Sequence, residues 1–371
     1  MQLKGYFMTP SEAPTSPSAA RHRTRRAARS SVKPAGGKSR SPRRPSVRQT
    51  MPKPYMTPEK LEYHAMLLSN RIRKMFRHFS RKYRKQNIDC FRLYDWDIKE
   101  VRAVVDWYQG HVVIAEYERT QTGALWLPRM ARAVAETLDI PDDHVHMRRR
   151  RTQQKDGPRY QRLGRRGRPF QVNERDLKFW VNVDDYLDTG LFSDHRDTRI
   201  MIRDLVKGKT FLNLYAYTGA FTCAAALAGA RATVTVDRSA TYLEWAKKNL
   251  ALNHLTGPQH KFIKSDTFFF LKRAARQKQT FEVCFVDPPS FTEDKLRQKG
   301  FDINRDHPLL LEEILKIMKP GGLVLFSTNH QRFEPRFQGL KVRDLTEITA
   351  KTIPEDYRNK QIHRLWRMTA V

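Results

Sequence analysis

Between residues 58 and 84, apolar side chains recur at three- and four-residue steps: Leu61, Ala65, Leu68, Ile72, Phe76, Phe79 and Tyr83. That period predicts an amphipathic helix, and its opposite face carries Arg71, Arg73, Lys74, Arg77, Arg81, Lys82 and Arg84. Short β-branched and aromatic runs follow at 90–95, 102–108 and 111–117, separated by turn residues such as Gln109-Gly110, and these read as strands. Residues 127–138 read as a helix, 170–186 as two more strands and 197–206 as another helix. From 208 to 328 the two periods alternate. Strands are expected at 210–214, 233–236, 261–263, 281–286 and 323–327, with helices at 220–229, 240–252, 267–276 and 307–318. Such alternation predicts a doubly wound, Rossmann-like α/β domain. The expected organisation is a disordered basic tail at 1–57 and an α+β subdomain at 58–186. The α/β domain then covers 187–340, with a C-terminal extension at 341–371.

Charge sharpens this picture. The chain carries a formal +31 over 371 residues. In the first 57 residues 13 Lys/Arg face Glu12 alone, so that tract carries +12 and the remainder +19. A Ser-, Pro- and Arg-rich tract with almost nothing apolar cannot bury a core. It can tether RNA, its composition overlaps that of an organelle transit peptide, or it is a solvated extension without a dedicated role. A field this positive binds polyanions, nucleic acid first and an anionic membrane surface second. No apolar run approaches the ~20 residues that span a bilayer, and the N-terminus lacks a secretory apolar core. Cys90, Cys223 and Cys284 are scattered without paired or Cys-His spacing. The expectation is a reduced, cytoplasmic protein with neither disulfide nor metal.

Two basic regions are candidates for contact with RNA phosphates. One is the helix face with Arg71, Arg73 and Lys74. The other opens at Arg148, Arg149, Arg150 and Arg151 and continues through Arg165 and Arg166. With Gly157, Gly164 and Gly167 it reads as a flexible hairpin tip or loop.

The candidate chemistry lies in the α/β part. The run Thr210-Phe211-Leu212-Asn213-Leu214 ends in Tyr215-Ala216-Tyr217-Thr218-Gly219, and Asp237 closes the next strand, followed by Arg238. A glycine-bearing turn at a strand end, with an acid one strand on, suits a nucleotide-type cofactor whose ribose hydroxyls the acid accepts. One glycine, where a dinucleotide fingerprint has three, argues against a pyrophosphate and for adenosine without phosphate, as in S-adenosylmethionine. Asp266 follows a third strand, where such folds contact adenine. Asp287-Pro288-Pro289-Ser290-Phe291 ends a fourth. Its prolines make a rigid turn, and an acid, carbonyls and a ring together can hold a planar base. His195 can be a base, but one histidine before a helix is more often a structural or cofactor-positioning residue.

Taken together, these motifs resemble a known family. The chain is similar over about residues 60–335 to the RlmK type, the guanine-N7 methyltransferase half of the bacterial bifunctional 23S rRNA methyltransferases. The resemblance rests on Asn70-Arg71-Ile72-Arg73-Lys74, Arg92-Leu93-Tyr94-Asp95, Asp185-Tyr186-Leu187-Asp188-Thr189-Gly190-Leu191-Phe192 and Asp194-His195-Arg196. It continues through Asn213 to Gly219, Val236-Asp237, Thr241 to Ala246, Asn249-Leu250, Asp287 to Phe291 and Asp302 to His307. It is also similar to cytosine-C5 rRNA methyltransferases that carry this domain behind a PUA module. The resemblance implies S-adenosyl-L-methionine as cofactor and 23S rRNA, or a large-subunit precursor, as partner. It further implies that Asp287, Pro288, Pro289 and Phe291 hold the base, and that Asp237 and Asp266 hold the cofactor's ribose and adenine. Asn213, Tyr215, Tyr217, Thr218, Gly219, Arg238 and Asp287 would line it, with Leu191, Phe192, Asp194 and Arg196 covering it. The guanine-N2 methyltransferase portion of the fused protein has no counterpart upstream, where the basic tract stands, so a separate partner with that activity is expected. Phe326-Ser327-Thr328-Asn329-His330 contains no cysteine where a C5 enzyme needs a thiolate. Guanine-N2, adenine-N6 or cytosine-C5 methylation, and a non-catalytic rRNA-binding assembly factor, stay open as alternatives.

Overall fold

The structure, a computed structural model, describes residues 56–117, 123–150, 164, 167–186, 188–292 and 300–371. All of them fall in one compact unit, Pro52–Val371. The basic tract of residues 1–55, and with it the expectation of disorder there, lies outside the described residues.

Helix α1 (Pro58–Arg84) starts where Thr57 accepts the amide N–H of Lys60 and Pro58 presets the first turn. Its buried stripe, His64, Ala65, Leu68, Ile72, Phe79 and Tyr83, follows the sequence periodicity. It packs on a four-stranded sheet in the order β1 (Cys90–Asp95), β2 (Ala103–Tyr108), β3 (His111–Tyr117), β4 (Val145–Arg150). Helix α2 (Trp126–Leu138) connects β3 to the parallel β4 and shares the core of α1. Strand β4 corrects the sequence reading, because Arg148, Arg149 and Arg150 extend a strand and do not open a loop. The Arg148 guanidinium donates to the carbonyls of Val183, Asp184 and Tyr186 and is thereby tied into the fold.

The hairpin of β5 (Phe170–Glu174) and β6 (Leu177–Val181) lies between this subdomain and the larger sheet. One apolar cluster runs through Cys90, Tyr108, Val172, Phe179, Leu191, Ala220, Cys223 and Leu250, so the two parts share a core. Then come α3 (Arg196–Val206), β7 (Thr210–Leu214), α4 (Ala220–Leu227), β8 (Ala232–Asp237), α5 (Ala240–Leu252) and β9 (His260–Lys264). They are followed by α6 (Thr267–Arg276), β10 (Phe281–Val286) and the two-residue pair β11 (Phe291–Thr292) and β12 (Phe301–Asp302). Helix α7 (Ile303–Leu315), β13 (Met318–Thr328), β14 (Val342–Glu347) and β15 (Arg364–Ala370) complete the chain.

The large sheet has the order β14-β15-β13-β10-β7-β8-β9. Strand β15 runs antiparallel to both of its neighbours, and the pairs from β13 through β9 are all parallel. The chain moves outward from β7 in one direction through β8 and β9, then returns to the other side of β7 with β10. Adjacent β7 and β10 are therefore the topological switch point, and doubly wound sheets place their ligand crevice beyond the carboxyl ends of such strands. This is the Rossmann-like fold expected from the alternation. Residues beyond 340, read from the sequence as an extension, contribute two of its seven strands.

Candidate active site

Beyond β7 the backbone adopts an unusual turn. Tyr215, Tyr217 and Gly219 have φ of 54°, 50° and 72°. Two non-glycine residues in the left-handed region within three positions store backbone strain of about 1–3 kcal/mol each. The strain turns the Tyr217 amide N–H onto Asp237 Oδ2 (2.9 Å), while Oδ1 accepts from the Ser239 amide (2.8 Å). Asp237 is half-buried at the end of β8, with lone pairs left for hydroxyl groups. Burial raises its carboxyl above the usual value, and the amides of Ser239, Tyr217 and Arg238 partly offset this. Arg238 itself is exposed.

Gly219 is held by close approach. A Cβ there would stand 2.6 Å from the Ala246 Cβ on α5. The segment 188–194 lies across the turn: Thr218 Oγ1 donates to the Gly190 carbonyl (2.6 Å), and the Tyr217 hydroxyl to the Asp188 carbonyl (3.3 Å). Leu191 is buried beneath, whereas Phe192 is 41% exposed with its ring 5.2 Å from that of Tyr217. Asp266 caps α6 by accepting the Phe269 amide N–H (3.1 Å), and its neighbour Ser265 donates from its amide to the Asp237 carbonyl (3.0 Å). Tyr215 is half-buried on the same edge.

Next along the edge, β10 ends and Asp287 begins the turn. Pro288 is buried, Ser290 Oγ donates to Asn329 Oδ1 (3.2 Å), and the Ile303 amide donates to the Ser290 carbonyl (3.0 Å). These contacts fix the turn, and Phe291 projects from it, 55% exposed, 5.8 Å from the His330 ring. Acids therefore stand at the ends of three parallel strands, beside a turn with one glycine. These carboxylates accept hydrogen bonds from sugar hydroxyls and favour a cationic group. The set fits S-adenosylmethionine, which Asp237, Asp266 and the 215–219 turn would hold.

Three expected cofactor residues are engaged elsewhere. The Arg196 guanidinium is 1% exposed and donates to the Cys90 carbonyl (2.8 Å) and the Asp356 carboxylate (3.2 Å), joining the two parts of the molecule. Asn213 is buried against α4, its amide donating to Thr222 Oγ1 (3.0 Å). Asp194 Oδ2 meets His363 Nδ1 at 3.0 Å. Neither Asp356 nor His363 carries a local signal in the sequence.

The basic residues divide as sharply. Arg71 pairs with Asp97, and Arg149 donates to the Ala124 carbonyl (3.0 Å). Arg73 and Lys74 are exposed and join Asn70, Arg77, His78 and Arg81 along a groove of about 450 Å³ on α1. The side chain of Arg150 and the whole of Arg151, Arg165 and Arg166 lie outside the described residues.

Residues 92–356 match the family described as S-adenosylmethionine-dependent methyltransferase. Among solved structures, the chain is similar to SMU.776, described as a methyltransferase complexed with SAH. The TM-score is 0.66 at 21% identity, covering 84% of this chain and 82% of that one. It is also similar to a protein from Streptococcus mutans described as a SAM-dependent methyltransferase, with TM-score 0.65, 21% identity and coverage of 82% and 81%. A SAM-dependent methyltransferase from Agrobacterium tumefaciens follows, with TM-score 0.53, 16% identity and coverage of 77% and 91%. At these identities the likeness is one of fold.

Proposed function

This chain belongs to the S-adenosylmethionine-dependent methyltransferase family, and from that premise we propose that it methylates N7 of a guanine in 23S rRNA or a large-subunit precursor. The observation that carries this reading is the turn after β10. A part-exposed carboxylate, a buried proline and an exposed phenylalanine ring follow one another at the carboxyl end of β10. All three cysteines of the chain are buried, so no thiol reaches this turn to support C5 chemistry.

S-adenosylmethionine supplies the methyl group. Guanine N7 has an in-plane lone pair and no proton, so no residue need act as general base. The chain's task is to exclude water, orient the base and offset the positive charge that arrives on it. Phe291 stacks on the purine face, an interaction of about 1–3 kcal/mol. Pro288 and Pro289 lack N–H groups, so their carbonyls are the polar atoms the turn offers, and they set the base edge together with Asp287. The Asp287 carboxylate also faces the charge developing on the ring. Orientation of this kind can contribute up to ~7–11 kcal/mol. N7 lies in the deep major groove of A-form RNA, so the target guanine is unpaired or extruded. The exposed Arg73, Lys74, Arg77 and Arg81 supply phosphate contacts. The resemblance to the RlmK type also leads us to expect a guanine-N2 methyltransferase as a separate partner.

The test is methylation of unmodified 23S rRNA with labelled S-adenosylmethionine, followed by borohydride–aniline cleavage, which breaks the chain at 7-methylguanosine. One strong cleavage site is the expected result. Label without cleavage would move the chemistry to an amino group or carbon. Asp287→Ala should lower transfer by about 10²-fold or more while S-adenosylhomocysteine affinity, measured by calorimetry, stays within a few fold.

A further inference from the structure

Behind the reacting turn lies a buried cluster that joins the Asp194-His195 pair to a distant histidine, His363. His195 closes the turn before α3 and is 3% exposed, and His363 stands before β15 and is 1% exposed. Their rings stack at 3.9 Å and 15°. His363 Nδ1 meets Asp194 Oδ2 at 3.0 Å, and its Nε2 meets Thr352 Oγ1 at 3.0 Å. His195 Nδ1 meets Thr198 Oγ1 at 3.2 Å. Its Nε2 faces Ser327 Oγ at 3.4 Å, Asp287 Oδ2 at 3.7 Å and Asp194 Oδ2 at 3.9 Å. Two histidines and an acid this close invite a metal reading. The stack speaks against it. Each ring nitrogen's lone pair lies in its own ring plane, and no single ion sits in two parallel planes.

We infer that His195, held by His363 and Asp194, is a positioning residue that sets the orientation of the Asp287 carboxylate. The inference rests on the reading of Asp287 as the group that meets the methyl acceptor. Burial, reinforced by His363, pushes the His195 imidazole far below its ordinary value, so it is neutral with a single N–H. Nε2 faces the Ser327 hydroxyl, which can accept from it, and two carboxylate oxygens, which would repel a lone pair there. The proton therefore sits on Nε2, and the Thr198 hydroxyl donates to Nδ1. Asp194 is anchored by His363. Asp287 is the more exposed carboxylate of the pair, with 30% of its side chain accessible. At 3.7 Å the His195 N–H attracts it without locking it, and a small rotation closes the hydrogen bond. In this way the C-terminal segment, through His363, conditions the residue that faces the substrate.

The test begins with two-bond ¹H–¹⁵N spectra of the full chain labelled at histidine. His195 should appear as the Nε2–H tautomer, and its signals should move in Asp287→Asn but stay in place in Asp266→Asn. An Nδ1–H tautomer, or signals indifferent to Asp287, would overturn the inference. This readout needs no substrate, so it decides the relay even if 23S rRNA is not methylated. With an active RNA, His195→Phe should lower kcat on the order of 10²-fold with KM and S-adenosylhomocysteine affinity unchanged. His195→Gln, whose amide N–H can replace Nε2–H, should recover much of the loss. A folded His195→Phe with full kcat, or a Gln variant no better than Phe, would sink the idea. Should the Phe variant fail to fold, the Gln variant and the tautomer decide.

Discussion

At the residue scale, the site is built from conformations that most side chains avoid. Gly219 meets two demands together, a φ of 72° and a Cβ position 2.6 Å from that of Ala246. Gly219→Ala should therefore destabilise the protein by about 1–3 kcal/mol, visible as a lower calorimetric melting temperature, and should weaken S-adenosylhomocysteine binding. Asp237 gives a pH signature. Its carboxyl is raised by burial above the ordinary 3.8. Hydroxyl recognition needs the ionised form, so cofactor affinity should fall on acidification at a pH higher than an ordinary aspartate would give. The sign for stability is opposite. A carboxyl raised on folding disfavours the native state above its folded pKa, and protonation relieves that cost. Calorimetric titration of S-adenosylhomocysteine across pH should show the loss in the wild type. In Asp237→Asn the affinity should be low and flat with pH.

At the element scale, two departures from the sequence pattern have local causes. The helix expected from His307 starts at Ile303, because the Asp302 side chain accepts the amide N–H groups of Asn304 (2.9 Å) and Arg305 (3.3 Å). Pro308 lacks the N–H that would bond the Asn304 carbonyl, and the Arg336 guanidinium fills that place from another segment. The C-terminal segment is bound by charge as well as by strands. The Asp356 carboxylate accepts from the Tyr83 hydroxyl (2.8 Å), the Arg92 amide (2.9 Å) and Arg196 (3.2 Å), so α1, β1 and α3 meet on one buried acid. Asp356→Ala would leave the buried Arg196 guanidinium without its hydrogen-bonded carboxylate, with only Glu174 at 4.0 Å beside it, at a cost of about 3 kcal/mol. The expected result is a lower urea midpoint, with Asp356→Asn falling between the Ala variant and the wild type.

At the scale of the whole molecule, charge is the dominant feature. Among the described residues, no helix is long and apolar enough to cross a membrane. The formal +31 gathers in part on the exposed face of α1, whose other face packs into the core. Replacing Arg73, Lys74, Arg77 and Arg81 with Gln should weaken RNA binding. The plot of log affinity against log salt should become shallower by roughly 0.7–0.9 for each phosphate that the variant no longer neutralises. Fluorescence anisotropy with an rRNA fragment measures this, and an unchanged slope would remove the face from the interface.

How much of this could be read beforehand depends on how local the information is. The βα alternation was legible, because each central strand buries apolar side chains against helices on both faces and so writes a short unbroken run. The acids Asp237, Asp266 and Asp287 were legible because each ends its own strand, and the strained turn betrayed itself by Gly219. Strand β14 was not, since Val342 to Glu347 is exposed almost throughout and carries no alternation. Arg148, Arg196 and Arg71 look alike in sequence to Arg73, yet three are tied to carbonyls or buried acids and one faces solvent. Nothing near Arg196 announces Asp356, 160 residues away, and nothing near His195 announces His363. Local pattern thus determined most of the elements, their order along the chain and the edge on which the three acids stand. Tertiary structure alone decided which charges are buried, paired or exposed. A charge's environment is set by whichever distant segment packs against it, and that partner lies beyond the reach of any local period.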